Sequence, residues 1–279
     1  MKVLMLLVIS TFFVVQFKLP KNIAGKFSLV PSGKVVVDDD TLSVQSFYIQ
    51  SYEVTNKEYN EFLDWLKKNG TPEEINSAKL LTDNWKTETK MNLEQFAKEY
   101  HKNEAYDNFP VVNVTYEGAL LYCNYLENKI NHELKNKEIK VRLPKHAEFI
   151  RAGAGDNLGA VYSWNGLYLR NSKGNSLANF TRIPQSTISR NDDGELELQK
   201  WSGNHSGSSD LIAEAKSYFP SIYGLYNLNG NVAEMIDEKG IAAGGSWMDY
   251  GYDIRLQSRS KYKEASVRVG FRPVFTVIN

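Results

Sequence analysis

The stretch Tyr223–Met235, together with Gly244–Trp247, constrains this chain more than any other part of its sequence. Within eight residues it places three asparagines, Gly230 and Glu234 between aromatic and aliphatic residues. Calcium takes amide, carboxylate and backbone carbonyl oxygens, and a glycine lets the backbone fold back so that several carbonyls converge. Composition alone leaves an alternative open, which is a tight Asn-Gly turn between two strands with Glu234 in solvent.

Charge and length limit the class of protein. The 279 residues carry 33 Lys and Arg against 33 Asp and Glu, so the basic footprint of a nucleic-acid-binding protein is missing. An apolar content of 42% is enough for a sizeable core. Because no Pro-rich or Ser-rich linker divides the chain, we predict a single domain over residues 25–279.

The N-terminal apolar run, Val3–Val15, follows Lys2 and is 13 residues long. A stable transmembrane span needs about 20 residues, whereas this length suits the hydrophobic region of an export signal. A buried N-terminal strand is the alternative. We therefore expect residues 1–24 to be an export signal or N-terminal hydrophobic segment, and the protein to be exported, periplasmic or associated with the outer membrane. No cysteine follows the run, so a lipid anchor is not supported.

Two helices are predicted from capping residues and periodicity. Thr55 and Glu58 form a capping box before an apolar face that ends at Gly70. Thr115 begins a second helix whose apolar face includes Cys123, the only cysteine, which we interpret as a core residue. The polar segment 71–108 between them is predicted to be an insertion, either a solvated one or a surface that binds a partner.

Other segments are predicted to be strands or loops. Phe27–Val37 is typical of two short strands around a turn, and Phe47–Gln50 and Pro110–Val114 of further strands. A loop is expected at Gly153–Gly159. Asn179–Trp201 has the pattern of long ordered loops, which in a compact domain usually need a metal ion or similar support.

Taken in order, these pieces resemble the formylglycine-generating enzyme, or sulfatase-modifying factor, family. The residues that carry the resemblance are Tyr52–Asn56, Pro110–Val114, Tyr122–Cys123, Arg142–Pro144 with Ala147–Phe149, Tyr162–Gly166, Leu177–Phe180, Tyr223–Glu234, Gly244–Trp247 and Gly270–Arg272. Each motif alone is weak, but nine in the family's order are a strong signal. The resemblance implies an α+β fold, a variant of the C-type lectin fold with little regular secondary structure.

The resemblance also implies two structural calcium sites. The first would use Asn179, the carbonyl of Phe180, Asp193 and the carbonyl of Glu195. The second would use Asn227, the carbonyls of Gly230 and Val232, and Glu234. This agrees with the oxygen-rich composition noted above and supplies the support that the long loops need.

The family's reaction is not supported in the same way. Active members use two cysteines that follow the Gly-Gly-Ser-aromatic motif and bind copper as soft thiolates. The corresponding segment here, Met248–Arg255, has no cysteine, so no copper is expected. Lys145 and His146 also stand where active members usually have Thr-Glu. A candidate cleft remains at Trp247, Asp249 and Arg255.

Three functions follow from these observations. The first is a non-catalytic protein of the cell envelope that binds or scaffolds protein partners, similar to the gliding-motility and type IX secretion proteins of Bacteroidetes. The second is an oxidase with an altered active site, acting on a peptide or small molecule. The third is a sugar-binding protein that uses calcium and aromatic residues such as Trp164 and Trp201.

Overall fold

The computed structural model describes residues 19–89, 93–134, 138–181, 188–191, 193–198 and 211–278. Most of the predicted export segment, residues 1–18, lies outside them, as does Trp201. The described chain begins beside a short helix, Lys21–Ala24, whose Ile23 is buried in the core. Within the described ranges, none of the helices combines the length and the apolar character that a membrane crossing requires.

The secondary structure is mixed, as the α+β prediction requires. The helices are α1 (Lys21–Ala24), α2 (Asn56–Asn69), α3 (Pro72–Ser77), α4 (Asn84–Thr89), α5 (Glu94–Glu99), α6 (Tyr116–Glu133) and α7 (His146–Ala154), with a 3-10 turn at Glu104–Tyr106. The strands are β1 (Phe27–Val30), β2 (Gly33–Val37), β3 (Asp40–Val44), β4 (Phe47–Gln50), β5 (Glu138–Arg142), β6 (Ile188–Arg190), β7 (Leu196–Leu198), β8 (Ala233–Met235), β9 (Ile241–Ala243), β10 (Arg259–Lys261), β11 (Val269–Gly270) and β12 (Val274–Ile278).

Two four-stranded sheets organise the described chain. The first has the order β1-β4-β12-β5, and all its neighbouring strands are antiparallel. The second has the order β10-β9-β8-β11, in which β11 runs parallel to β8 and sets Gly270 opposite Glu234. Because β11 and β12 are nearly consecutive, residues 271–273 connect the two sheets next to Glu234.

Both predicted helices are confirmed. Thr55 and Glu58 form the reciprocal capping box of α2, and the side chain of Thr115 accepts a hydrogen bond from the backbone of Gly118 at the start of α6. Cys123 is buried in a core cluster shared by α2 and α6, as its apolar position predicted. The apolar faces of these helices therefore decided where they pack.

Some local predictions were wrong. Pro110–Val114 is not a strand, because only Pro110 makes an isolated bridge, to Thr55, and Asn113 has a φ of 60° that no regular strand accommodates. The loop predicted at Gly153–Gly159 begins later, since α7 continues to Ala154 and ends at Gly155.

The segment 71–108 contains α3, α4 and α5 and carries its own aromatic cluster. Trp85 and Tyr100 are fully buried, and Phe96 and Tyr106 pack against them in edge-to-face and tilted geometries. Trp85 belongs to the same apolar cluster as Trp247 in the C-terminal part of the chain. Although most residues of this segment are polar, its buried aromatic side chains pack against the C-terminal part of the chain and hold the segment to the rest of the domain.

Candidate functional site

A buried ion pair lies at the centre of the molecule. Arg272 donates from Nε and Nη2 to the two carboxylate oxygens of Glu234, both at 2.7 Å, and the two side chains are 0% and 1% exposed. Arg272 also donates to the carbonyls of Gln50 and Tyr226. The alternative that left Glu234 in solvent is therefore wrong, because the second sheet buries it completely.

Glu53 adds a second buried carboxylate beside this pair. Asn231 donates to its Oε1 at 2.9 Å and Asn227 to its Oε2 at 3.3 Å. The pKa of Glu53 is raised to about 8, chiefly by burial and to a smaller extent by nearby Glu234, while Arg272 and the hydrogen bond from Asn231 oppose the rise. With one guanidinium for two carboxylates, the group carries a formal charge of −1 when both acids are ionised.

Sequence reasoning did not single out Glu53, although it lies in the motif Tyr52–Asn56. The signal that could have identified it is an acidic residue between Tyr52 and Val54, just after β4. Acidic side chains are almost never fully buried without partners, so such a position indicates a polar site inside the core.

The asparagine turn itself is closely packed. Asn227, Gly230 and Asn231 have φ values of 54°, 75° and 63°. A Cβ on Gly230 would lie 2.2 Å from the carbonyl oxygen of Asn179, and the backbone of Asn231 donates to that same oxygen at 2.8 Å. The turn thus holds Asn179, a residue of the first predicted calcium group, directly against the second group.

One buried segment contains the residues of the second predicted calcium group, Asn227, Gly230, Val232 and Glu234, and the buried carboxyl of Glu53 lies beside it. A carboxylate has about four lone-pair sites, of which the Arg272 fork uses two, so Glu234 retains acceptor capacity. Among the described residues, no group of three or more His, Cys, Asp and Glu side chains is placed to hold a metal, and amide and carbonyl oxygens would have to supply the other ligands.

The first predicted calcium group is more dispersed. Asn179 is buried and donates to the carbonyl of Leu211 at 2.8 Å and to the side chain of Asn231 at 3.2 Å. Phe180 is buried in a separate cluster. Asp193 and Glu195 are exposed at the tip of the β6–β7 hairpin, where the carbonyl of Glu195 accepts the backbone N–H of Asn191. Residues 182–187, which connect the two halves of this group, lie outside the described ranges.

The candidate cleft residues occupy different environments. Trp247 is 5% exposed and donates to the carbonyl of Val267. Asp249 accepts from the backbone and hydroxyl of Ser246, at 2.8 and 2.6 Å, and so stabilises the Gly-Gly-Ser-Trp turn. Arg255 lies at the surface, with its guanidinium carbon 3.4 Å from the centroid of the Tyr252 ring.

Two loops next to the asparagine turn carry exposed aromatic and apolar side chains, with the half-buried Arg255 beside them. The members of this aromatic loop surface are Leu167, Tyr168, Tyr250, Tyr252 and Arg255. Tyr168 is 81% exposed and Tyr252 is 70% exposed.

The aromatic loop surface is held together from below. The hydroxyl of Tyr162 donates to the carbonyl of Gly251, and Leu169 packs so closely on Gly251 that a Cβ there would meet it at 2.3 Å. Asn229 connects both loops to the turn, because it accepts from the backbone of Ser163 and donates to the carbonyl of Ile254. The asparagine turn therefore supports this surface directly.

Cys123 has no access to this region. It lies inside α6, and burial raises the pKa of its thiol to about 12, so the reactive thiolate is not formed at neutral pH.

Comparison with known proteins supports a family assignment. Residues 15–277 match the profile of the sulfatase-modifying factor enzyme 1-like domain. The chain is similar in fold to the crystal structure of CarF, with a TM-score of 0.57, 19% identity, and coverage of 89% of this chain and 97% of that one.

Two further structures are similar to a comparable degree. PvdO from Pseudomonas aeruginosa has a TM-score of 0.55 at 16% identity, and Treponema denticola variable protein 1 has a TM-score of 0.54 at 17% identity. In both cases 89% of this chain and 93% of the other are covered. No curated protein matches at a significant level. The predicted α+β fold of the formylglycine-generating type is confirmed.

Proposed function

Because the chain belongs to the sulfatase-modifying factor family, we propose that it is a non-catalytic member that binds or scaffolds other proteins in the cell envelope. In this role it would be similar to the gliding-motility and type IX secretion proteins of Bacteroidetes. The observation that carries the proposal is the aromatic loop surface, part of which falls in Met248–Arg255, the segment where the family resemblance implies the cysteines of active members.

The chemistry of this region favours binding over oxidation. Cu(I) is held by soft thiolate ligands, and the only thiol of the chain is buried inside α6 with its pKa raised to about 12. The altered-oxidase alternative would therefore need redox ligands other than cysteine. Asp249 is already engaged with Ser246 and with Arg268, at 2.6 and 3.3 Å.

The composition of the aromatic loop surface suits a protein partner. Tyrosine and arginine are enriched at the centres of protein interfaces, since they combine a large apolar area with hydrogen bonding. Tyr252 and Arg255 stack on each other and remain accessible. A rigid support from Asn229 and Leu169 would lower the entropy lost on binding.

We include a structural calcium ion in this proposal, held by Asn227, Gly230, Val232 and Glu234. The ion would supply the positive charge that offsets the second carboxylate, and it would hold the asparagine turn that supports the aromatic loop surface. Its role is in folding and positioning, with no part in a reaction.

A photo-crosslinking experiment tests the proposal. A benzophenone amino acid at Tyr252 should give one discrete adduct in intact cells, and the same substitution at Trp65, a half-exposed aromatic on α2, serves as the matched control. Fractionation of those cells should place the protein and its adduct in the envelope. Adducts of equal yield at both positions, or a protein confined to the cytosol, would count against the proposal.

The oxidase alternative has a separate test. Purified protein incubated with Cu(I) and a cysteine-containing peptide is expected to consume no oxygen above a control with the same Cu(I) and peptide but without the protein. Sustained, protein-dependent oxygen consumption would favour the enzyme instead.

A further inference from the structure

The sequence contains four pairs in which glycine follows asparagine or aspartate, namely Asn69–Gly70, Asn165–Gly166, Asp193–Gly194 and Asn229–Gly230. In such a pair the backbone nitrogen of the glycine can attack the side-chain carbonyl carbon of the preceding residue, because glycine has no Cβ to obstruct the approach. The attack requires a backbone N–H that is free of hydrogen bonds and a local backbone that can rotate. The fold therefore decides which of the four pairs can react.

Backbone hydrogen bonds protect two of the pairs at the surface. Gly70 donates its N–H to the carbonyl of Leu66 at 2.7 Å, at the end of α2. Gly194 donates its N–H to the carbonyl of Asn191 at 2.9 Å, between β6 and β7. Each N–H would have to break this bond before it could react, so both pairs are protected although the acidic or amide residue before the glycine is exposed.

The pair in the asparagine turn is protected by burial as well. Asn229 is 2% exposed, and its side-chain amide accepts from the backbone of Ser163 at 2.8 Å and donates to the carbonyl of Ile254 at 2.6 Å. Gly230 donates its N–H to the carbonyl of Gly244 at 2.9 Å. Both reacting groups are therefore engaged, and the core would have to open before they could meet.

The pair Asn165–Gly166 differs from the other three. Asn165 is exposed, and its side-chain oxygen accepts a long hydrogen bond of 3.3 Å from Asn157. Among the described residues, none accepts a hydrogen bond from the backbone N–H of Gly166. The pair also lies outside the helices and strands, in a loop, where the backbone opens locally at low cost.

We propose that Asn165 is a site of spontaneous deamidation in the folded protein. The backbone nitrogen of Gly166 forms a bond to Cγ of Asn165, and its proton leaves with the side-chain nitrogen as ammonia, which closes a cyclic succinimide. Water then opens the ring at either of its carbonyls. Opening at Cγ gives aspartate, and opening at the main-chain carbonyl gives isoaspartate, in which the chain continues through the side chain. No electrons are gained or lost, so water is the one co-reactant.

Either product places a new carboxylate in one of the two loops of the aromatic loop surface. Carboxyl groups of this kind have pKa values of about 4, so the product is charged at neutral pH. Leu167 and Tyr168 follow the pair directly and are 73% and 81% exposed. Isoaspartate also lengthens the backbone by a methylene group just before them. The inference does not rest on the proposed binding role, because the reaction needs only the chain and water.

Peptide mapping by mass spectrometry tests the proposal. The folded full chain is incubated in a mildly alkaline buffer, and the conversion of amide to acid is followed over time at Asn69, Asn165 and Asn229. Conversion at Asn165 should be about tenfold faster than at the other two. In the chain unfolded by guanidinium chloride the three rates should become similar, since all three positions have the sequence Asn-Gly. Labelling by an isoaspartyl methyltransferase identifies the isoaspartate product.

Gly166→Ala provides a second, independent test. Gly166 has no positive φ, and an added Cβ would lie 3.3 Å from Cδ1 of Trp164, so a small shift of that side chain accommodates it. The methyl group obstructs the attacking nitrogen, so deamidation at Asn165 should slow about tenfold. The matched control is Gly25→Ala, at an exposed glycine with a φ of −80° and open space, which should leave the rate unchanged. Circular dichroism melts establish that both variants are folded.

Three results would overturn the inference. The first is an amide at Asn165 that persists in the folded chain as long as those at Asn69 and Asn229. The second is the same ratio of rates in the folded and the unfolded chain, since the selectivity would then come from the neighbouring sequence and not from the fold. The third is a rate at Asn165 that Gly166→Ala does not change, and if that variant is unfolded the first two comparisons decide.

Discussion

Replacing Glu53 with glutamine removes the second carboxylate from the buried group while keeping an acceptor for Asn231. The pKa of Glu53 is raised from 4.5 to about 8, so the folded state binds more protons than the unfolded state between these values. Stability from this group is therefore present at low pH and is lost as pH rises from about 4.5 to 8.

The size of the effect follows from the shift. One pH unit corresponds to about 1.4 kcal/mol, so the shift of about 3.5 units sets a limit of about 5 kcal/mol, of which about 3 kcal/mol is lost by pH 7. Glu53→Gln abolishes this loss. We expect the difference in unfolding free energy between the variant and the original chain to grow by about 1 kcal/mol per pH unit from pH 5.5 to 7.5.

Urea unfolding, followed by circular dichroism in the presence of a chelator, measures this difference. The matched control is Glu214→Gln, an exposed acid whose carbonyl contacts Asn227, and it should parallel the original chain. Burial lowers the pKa of His101 and of His146 to about 4, which adds the opposite slope below pH 6.5. That slope is common to all three proteins and cancels in the comparison. A pH-independent difference would refute the reasoning.

Four further predictions concern the same core. Chelation should lower the melting temperature by about 5–10 °C if calcium is present at about 100 times its dissociation constant. Asn227→Gly keeps the positive φ but removes the amide ligand, so its melting temperature should not respond to the chelator. Equal sensitivity of both proteins would contradict a calcium site at Asn227. Gly230→Ala should destabilise the folded protein by about 3 kcal/mol in urea unfolding, because the added Cβ would meet the carbonyl oxygen of Asn179. Gly174→Ala has a similar φ but open space around it, so it should cost about 1 kcal/mol. Equal losses would contradict the packing argument. Cys123 should react with a thiol reagent only at the rate of global unfolding, and fast labelling of the folded protein would contradict its burial. Acidification from pH 6.5 to 4 should destabilise the original chain less than Glu53→Gln. Folded Glu53 is already protonated there, so the free-energy cost of taking up that proton on folding falls as the pH falls and offsets the cost of the neutral histidine His101. The reverse order in urea unfolding would contradict the assigned shifts.

Several features could be predicted because they depend on neighbours in the sequence. The capping box of α2, the Thr115 cap of α6 and the apolar periodicity of both specify helices locally, and the burial of Cys123 follows from its helical face. Pro110–Val114 failed for a complementary reason. Its apolar β-branched residues favour a strand, but Asn113 adopts φ 60° while its backbone bonds to Ser266 and Leu81, far along the chain.

The candidate site was foreseen in part. The asparagine turn and Glu234 could be identified from composition. Glu53 and Arg272 can be recognised as parts of the site only when the fold places them next to Glu234. The aromatic attachment of the segment 71–108 was hidden by its many charged residues, since polar side chains on one face of a short helix do not reveal an apolar residue on the other.

The sequence by itself determined helices α2 and α6, the burial of the single thiol and the family. Only the tertiary structure decided that two carboxylates share one guanidinium, because β11 must lie beside β8 before Arg272 can reach Glu234. Burial then changes the chemistry of the site. Removing water raises the free energy of each unpaired charge. The sequence alone does not show which charged side chains will be buried next to each other.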